Sequence, residues 1–120
     1  MFRLMALVFL LLARPALAQP LPFCNGAVLG ESFWNIVTAN ATVSQVAHMV
    51  QLRNPGPRPV ALVISFIHPG SELNLRRAGH RLGAYGSVTL RLGVESRANP
   101  SGSGALQVPD VAGFVVINCG

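Results

Sequence analysis

Two cysteines, Cys24 and Cys119, bracket almost all of the chain that follows its first, strongly apolar segment. In an exported protein an even number of cysteines is most simply explained by disulfide pairing. A redox-active or metal-binding pair is the alternative, but there is no Cys-x-x-Cys spacing and no histidine beside either cysteine. We therefore predict a structural Cys24–Cys119 disulfide, which requires the two ends of the domain to lie within about 7 Å at their Cα atoms.

The first eighteen residues predict export. A basic residue precedes the apolar run Leu4–Ala13, and Ala16-Leu17-Ala18 ends the segment. A basic start, a short apolar run and an A-x-A ending are the parts of a secretory signal peptide. A membrane anchor needs roughly 20 apolar residues, and Arg14-Pro15 interrupts this run well before that length. We predict a signal peptide over residues 1–18 and a mature domain over 19–120, without a membrane span, in the periplasm or outside the cell.

The composition of the domain argues against two classes of protein. Hydrophobic residues make up 51% of the chain and charged residues 11%, a balance that argues against intrinsic disorder. Arg3 and Arg14 leave with the signal peptide, so seven arginines face four acidic residues and the net charge falls to about +3. So small an excess is far from the dense positive surface of a nucleic-acid-binding protein. Arginine is used throughout in place of lysine, which we interpret as the base-composition bias of a bacterial genome.

Alternating apolar and polar residues predict strands throughout the domain. In Ser87–Leu92 every second side chain is apolar, a period that marks a half-buried strand. Both faces of Val60–Ile67 are apolar, which predicts a central strand. Asn54–Pro59, with three prolines and a glycine, is expected to close a hairpin between that strand and Val46–Arg53. The remaining predicted strands are Trp34–Ala39, Leu73–Arg76, Leu106–Val108 and Phe114–Asn118, with loops at 68–71 and 98–104 and no helical period.

Six to eight short strands in about 100 residues predict an all-β fold, a single β-sandwich closed by the disulfide between its terminal segments. Two runs in the middle of the domain carry a family resemblance: Leu52-x-Asn54-Pro55-Gly56-Pro57-x-Pro59-Val60-x-Leu62-x-Ile64-x-Phe66 and Leu82-x-x-Tyr85-Gly86-Ser87-Val88-x-Leu90-x-Leu92. They resemble secreted bacterial immunoglobulin-like modules, although the central strands lack cysteines and the matching strand lacks tryptophan. The resemblance implies an immunoglobulin-like β-sandwich and a general role in binding or spacing.

Residues for catalysis or metal binding form no recognisable motif. The histidines His48, His68 and His80 stand at none of the spacings typical of zinc sites. His48 lies on the apolar side of its strand and is expected to be a hydrogen-bonded core residue, whereas His68, next to Pro69, is expected to be solvated. There is no G-x-S-x-G motif, and Asp110 and three glutamates are scattered along the chain. We predict no enzyme activity, no catalytic residue, no metal site and no cofactor.

The densest positive charge of the domain lies between residues 76 and 81. Three arginines and a histidine surround Gly79 there, and we expect an exposed basic tip around a glycine turn. Guanidinium groups bind carboxylates and phosphates through paired hydrogen bonds, so these side chains are candidates for contact with an anionic ligand or partner. A solvated loop without a ligand is the alternative. The candidates are Arg76, Arg77, His80 and Arg81.

Trp34 is a further candidate for partner binding. Phe33 and Trp34 are adjacent, so in a strand their side chains face opposite sides and one of them lies outside the core. An exposed aromatic ring there would anchor a partner or a sugar ring, and packing against a neighbouring strand is the alternative.

The function expected from these features is that of an exported, non-catalytic binding or structural module. In its most concrete form it is an accessory subunit of an envelope or surface assembly. Its partner would be another envelope or extracellular protein or an anionic envelope polymer. A small secreted hydrolase or metal-binding enzyme, with a site assembled from scattered residues, is the alternative from a different class.

Overall fold

The computed structural model describes residues 20–120, so the predicted signal peptide, residues 1–18, lies outside the described residues. The described chain folds into seven strands and three short helical turns. The strands are β1 (Leu21–Phe23), β2 (Val28–Ala39), β3 (Ser44–Arg53), β4 (Val60–Phe66), β5 (Ala78–Leu82), β6 (Ser87–Arg97) and β7 (Val115–Cys119). The helical turns are 3-10 turns at Cys24–Gly26 and Ala112–Phe114 and the single α-helical turn α1 (Val108–Val111).

The strands form two antiparallel sheets. The first has the order β1-β2-β3-β6 and the second the order β5-β4-β7. The prediction of a mostly β fold is therefore confirmed, and the predicted strands at 34–39, 46–53, 60–67, 87–92 and 114–118 each fall on or within one residue of an observed strand.

One hydrophobic core joins the two sheets. In β3 every second side chain from Ser44 to Leu52 is buried, and in β4 the same alternation buries Leu62, Ile64 and Phe66. Val50 and Leu52 of β3 belong to one cluster with the three buried residues of β4, and the segment after β6 adds Val111. Each fully buried aliphatic or aromatic side chain contributes about 1.5–3 kcal/mol, so period-two patterning on both sheets accounts for the pairing of their inner faces.

The predicted hairpin between β3 and β4 is wrong. These strands lie in different sheets, and the proline-rich segment carries the chain from one sheet to the other. Prolines lack the N–H group that a ladder needs, and the buried side chain of Asn54 supplies hydrogen bonds in its place. Its Nδ2 donates to the carbonyls of Arg58 at 2.6 Å and Gly83 at 3.0 Å, while its Oδ1 accepts from the N–H of Gly56 at 3.0 Å.

Two further strand predictions are wrong. Leu75 donates its N–H to the carbonyl of Leu92 in β6, and its own carbonyl accepts the N–H of Phe66 in β4, so the segment 73–76 joins no single ladder. Leu73 has a φ of 53°, which interrupts an extended chain. Leu106–Val108 ends where α1 begins, because Pro109 lies in the first turn of that helix, a position that favours proline.

The predicted disulfide is confirmed. Cys24 follows β1, at one edge of the first sheet, and Cys119 ends β7, at one edge of the second, with their Cα atoms 6.1 Å apart. The covalent bond therefore ties an outer strand of each sheet to the other. On the chain-entropy model a loop of this size contributes about 4–5 kcal/mol to stability.

Candidate functional site

The predicted basic segment is an edge strand rather than a turn. Gly79 pairs with Val63 within β5, and β5 is an outer strand of the second sheet. The exposed side of β5 carries Gly79 and Arg81, whereas His80 is half-buried on the side that also carries Ala78 and Leu82. The structure therefore separates His80 from Arg81, because neighbouring residues of a strand face opposite sides.

Arg76 and Arg77 lead into this strand and are both exposed. Arg77 has a φ of 48°, and its N–H donates to Oγ of Ser65 in β4 at 2.9 Å. This bond fixes the chain against β4 just before the ladder of β5 begins. The two exposed arginines therefore lie at the start of the strand that carries Arg81.

Ion pairing divides the arginines into two groups. Arg53 pairs with Glu31 at 3.2 Å, and Arg97 pairs with Glu95. Within residues 20–120 the other five arginines form no ion pair. They are Arg58, Arg76, Arg77, Arg81 and Arg91.

Three of these five unpaired arginines lie in or just before β5, and the backbone of Arg58 lies near the other end of that strand. We group Arg58 with these three because the Asn54 side chain binds two backbone carbonyls, that of Arg58 and that of Gly83, and Gly83 follows the end of β5. The strands β4, β5 and β7 contain no acidic residue. We call Arg58, Arg76, Arg77 and Arg81 the basic edge.

A depression opens beside the basic edge. It has a volume of about 440 Å³ and is lined by residues 65–69 and 74–76, so that Arg76 belongs to both features. His68 stands in its wall, where Nδ1 lies 2.7 Å from Oγ of Ser71 and the ring packs edge-on against Phe114 at 4.7 Å. The expectation of a solvated His68 is therefore wrong, since its ring is packed and half-buried. The depression offers a guanidinium and an imidazole to any small group that enters it.

A second polar cluster is buried between the first sheet and the segment that follows β6. His48 and Glu95 are fully buried, and Nε2 of His48 lies 2.6 Å from Oε2 of Glu95. On the other side of the ring, Nδ1 lies 2.8 Å from Oδ1 of Asn35. Both acceptors are satisfied when the ring donates from both nitrogens, as imidazolium does. The expectation that His48 is a hydrogen-bonded core histidine is confirmed.

Glu95 is the centre of this cluster. Its Oε2 also accepts the N–H of Leu106 at 2.7 Å, and its Oε1 accepts from the guanidinium of Arg97. Burial raises the pKa of Glu95, but the bonds from Leu106 and His48 and the charge of Arg97 outweigh burial and lower that pKa below its usual value. The carboxylate is therefore held charged in a site that is closed to solvent.

Sequence reasoning did not find Glu95, because a β-bulge hides it. Strict alternation from Val88, Leu90 and Leu92 would place Glu95 on the outer face of β6. The register shifts between His48 and Met49 of β3 instead, so that Gly93 opposes His48 and Glu95 turns inward. A bulge inserts one residue without a composition signal of its own, so the sequence pattern alone contained no sign of this pair.

The outer face of the first sheet carries Trp34. Trp34 pairs with Met49, which pairs in turn with Arg91, so that the three side chains form one row across β2, β3 and β6. Phe33 packs against the core, and Trp34 is half-buried. The prediction that these two residues face opposite sides is confirmed.

Within residues 20–120, no three or more His, Cys, Asp or Glu side chains lie close enough together to hold a metal ion. Two of the three histidines do approach each other, because the rings of His48 and His68 lie 6.3 Å apart, whereas His80 stands on β5. In the same part of the chain, no helix is long and apolar enough to cross a membrane.

The chain has no significant match among protein-family models, curated proteins or solved structures.

Proposed function

We propose that this protein is an exported, non-catalytic binding module of a bacterial envelope or surface assembly, which contacts an anionic partner through the basic edge. Its two sheets, in this proposal, form an immunoglobulin-like sandwich. The observation that carries the proposal is the segregation of charge. Arg76, Arg77 and Arg81 lie in or just before β5 and form no ion pair, Arg58 lies near its far end, and the strands β4, β5 and β7 contain no acidic residue.

The geometry of the basic edge suits an extended anionic chain. An outer strand presents backbone groups that a partner strand can pair with, and Gly79, without a side chain, leaves room for close approach at the middle of β5. Arg76, Arg77 and Arg81 line that approach with guanidinium groups, which bind carboxylates and phosphates in two parallel hydrogen bonds. Either an acidic segment of another envelope protein or an anionic envelope polymer fits this arrangement.

An exported location is part of the proposal. The disulfide supports it, since such bonds persist in oxidising compartments such as the periplasm and the extracellular space. Charged residues on an edge strand can also serve only to prevent aggregation through strand pairing. A protein in which they serve only that role would not lose affinity for an anionic probe when the arginines are replaced.

The experiment compares two probes and two sets of variants. Polyphosphate stands for a phosphate-bearing polymer and poly-L-glutamate for an acidic protein segment. We expect the triple variant Arg76→Gln, Arg77→Gln, Arg81→Gln to bind the preferred probe roughly tenfold more weakly at low salt, since each exposed ion pair contributes about 0.2–1 kcal/mol. Binding by the parent protein should weaken as salt is added.

The matched control is Arg91→Gln, which removes an exposed, unpaired strand arginine outside the basic edge. Its affinity should stay close to that of the parent protein. Unchanged binding by the triple variant, or equal losses per charge in the triple variant and the control, would rule the basic edge out as the binding surface. Thermal unfolding of every variant checks that the fold is intact.

A further inference from the structure

The segment between β6 and α1, residues 98–107, crosses the inner face of the first sheet. We call it the strap. It is rich in Gly and Ser and holds its own shape, because Oδ1 of Asn99 accepts the N–H of Ser103 at 2.9 Å and Nδ2 donates to the Ser103 carbonyl at 3.2 Å. Its Gly102 and Gly104 have φ angles of 77° and 89°, a backbone region that favours glycine.

The strap is held at one residue by the buried polar cluster. The N–H of Leu106 donates to Glu95 Oε2 at 2.7 Å, and the carbonyl of Leu106 accepts from Nδ2 of Asn35 at 3.0 Å. Both backbone groups of one strap residue are thus bound by side chains of β6 and β2. Because Glu95 carries charge, the first of these bonds belongs to the stronger class of hydrogen bonds.

Part of the β2–β3 hairpin lies beneath the strap. A Cβ atom placed on Gly102 would come within 2.8 Å of Val46 and 3.7 Å of Oγ of Ser44, so the strap backbone lies directly on these residues. Val46 and Ser44 are each 2% exposed, and the Ser44 hydroxyl has no hydrogen-bond partner. Next to them Val37 is 49% exposed. The strap therefore divides an apolar surface into a covered part and an open part.

We propose that the strap is an acid-releasable cover that opens locally, without unfolding of the two sheets. Protonation of Glu95 removes the negative charge that Leu106, His48 and Arg97 are arranged around, and it leaves the Arg97 guanidinium without its counter-ion. The Leu106 anchor then weakens, and the strap lifts from Val46 and Ser44. The uncovered Val46 joins the exposed Val37 in a larger apolar patch.

The charged groups around Glu95 lie on two strands of the first sheet. His48 faces it from β3 and Arg97 from β6 itself, while β2 contributes only the neutral Asn35. The His68 ring stands behind His48, at 6.3 Å between ring centres. The strap contains no titratable side chain, so Glu95 is the acidic group through which the strap anchor senses pH.

The direction of the pH effect follows from Glu95. Its pKa is lower in the folded protein than in an unfolded chain. Its contribution is therefore fully present above the unfolded pKa of about 4.3, and it is lost as the pH falls through the folded pKa. The strap is expected to stay closed at neutral pH and to open in acid, below about pH 4.3.

Hydrogen exchange of the disulfide-bonded protein, corrected for the intrinsic effect of pH on exchange, tests this. Between about pH 7 and about pH 3.5, on either side of the ordinary glutamate range, we expect protection of the strap amides to fall severalfold while the amides of β4 stay protected. Binding of a hydrophobic dye should rise over the same range. Unchanged strap protection, or parallel loss in the strap and β4, would overturn the proposal.

Two variants locate the effect. Glu95→Gln should leave the strap open at neutral pH and remove its response to acid, whereas Glu72→Gln, an exposed control, should retain the response of the parent protein. If Glu95→Gln fails to fold, Asn35→Ala removes the other bond to Leu106 and leaves Glu95 in place. That variant should exchange faster in the strap at neutral pH and still respond to acid; equal exchange in Asn35→Ala and the parent would contradict the anchor.

Discussion

Two charged regions of this protein use the same residue types in opposite ways. Beneath the strap, Arg97 and His48 contact one fully buried carboxylate, and both carboxylate oxygens of Glu95 have a partner. Along the basic edge, Arg76, Arg77 and Arg81 are exposed and have no counter-ion among the described residues.

The contrast follows from solvation. A buried charge without a partner is so costly that the surrounding chain must supply one, whereas water satisfies an exposed guanidinium until a ligand replaces it. The first region therefore has its partners within the chain, and the second is free to take them from outside. Charge alone does not distinguish a structural cluster from a binding surface; burial together with pairing does.

The largest expected effect comes from a substitution in the buried region, compared with one in the basic edge. Glu95→Gln removes the fully buried carboxylate that His48, Arg97 and the Leu106 N–H all contact, and it should lower the free energy of unfolding by about 3–5 kcal/mol. Arg81→Gln changes an exposed, unpaired residue and should stay within about 0.5 kcal/mol of the parent. Urea unfolding with the disulfide intact measures both.

Similar losses in Glu95→Gln and Arg81→Gln would contradict the distinction between the regions. A small loss in Glu95→Gln alone would mean that the cluster relaxes around a neutral side chain, and the strap anchor would then need another explanation. Cys24 and Cys119 stay paired in every sample, so that unfolding is compared against one covalent state.

A smaller effect tests how closely the strap packs on the residues that it covers. Gly102→Ala and Gly104→Ala both place a Cβ atom on a left-handed backbone, which costs about 1–2 kcal/mol. Only the first meets a close neighbour, since its Cβ would lie 2.8 Å from Val46, whereas Gly104 has nothing nearer than Arg97 Nε at 3.9 Å. We expect Gly102→Ala to be the more destabilising by about 1–3 kcal/mol in thermal or urea unfolding. Equal losses would mean that the strap does not pack tightly on the hairpin.

The sequence predicts the outline of the fold because outline depends on local patterns. Alternation marked most of β3, β4 and β6, and the position of the two cysteines indicated their bond. Which strands pair with each other does not follow from local patterns. The composition of segment 54–59 fits a hairpin turn between neighbouring strands as well as a connection between two sheets. The observed connection depends on bonds from the Asn54 side chain to distant carbonyls such as that of Gly83, which the local pattern does not reveal.

The two charged regions differ in the same respect. The basic residues of 76–81 lie within one six-residue segment, so the sequence pattern identified them, although it predicted a turn there. The partners of the buried cluster are 47 residues apart in His48 and Glu95 and depend on a bulge that no residue type announces. Contacts of that kind arise from tertiary packing, which single-chain patterns do not encode.

The central claim, that the basic edge is the surface open to an anionic partner, is tested most directly by nuclear magnetic resonance. Isotopically labelled, disulfide-bonded protein is titrated with polyphosphate and, separately, with poly-L-glutamate, while backbone amides and arginine side-chain N–H signals are followed. We predict that one of these probes shifts the signals of Arg76, Arg77 and Arg81 and the amides of β5, while Arg91 and the ion-paired Arg97 stay unchanged. Shifts centred on Arg91 and Trp34, or equal shifts at every exposed arginine, would contradict it.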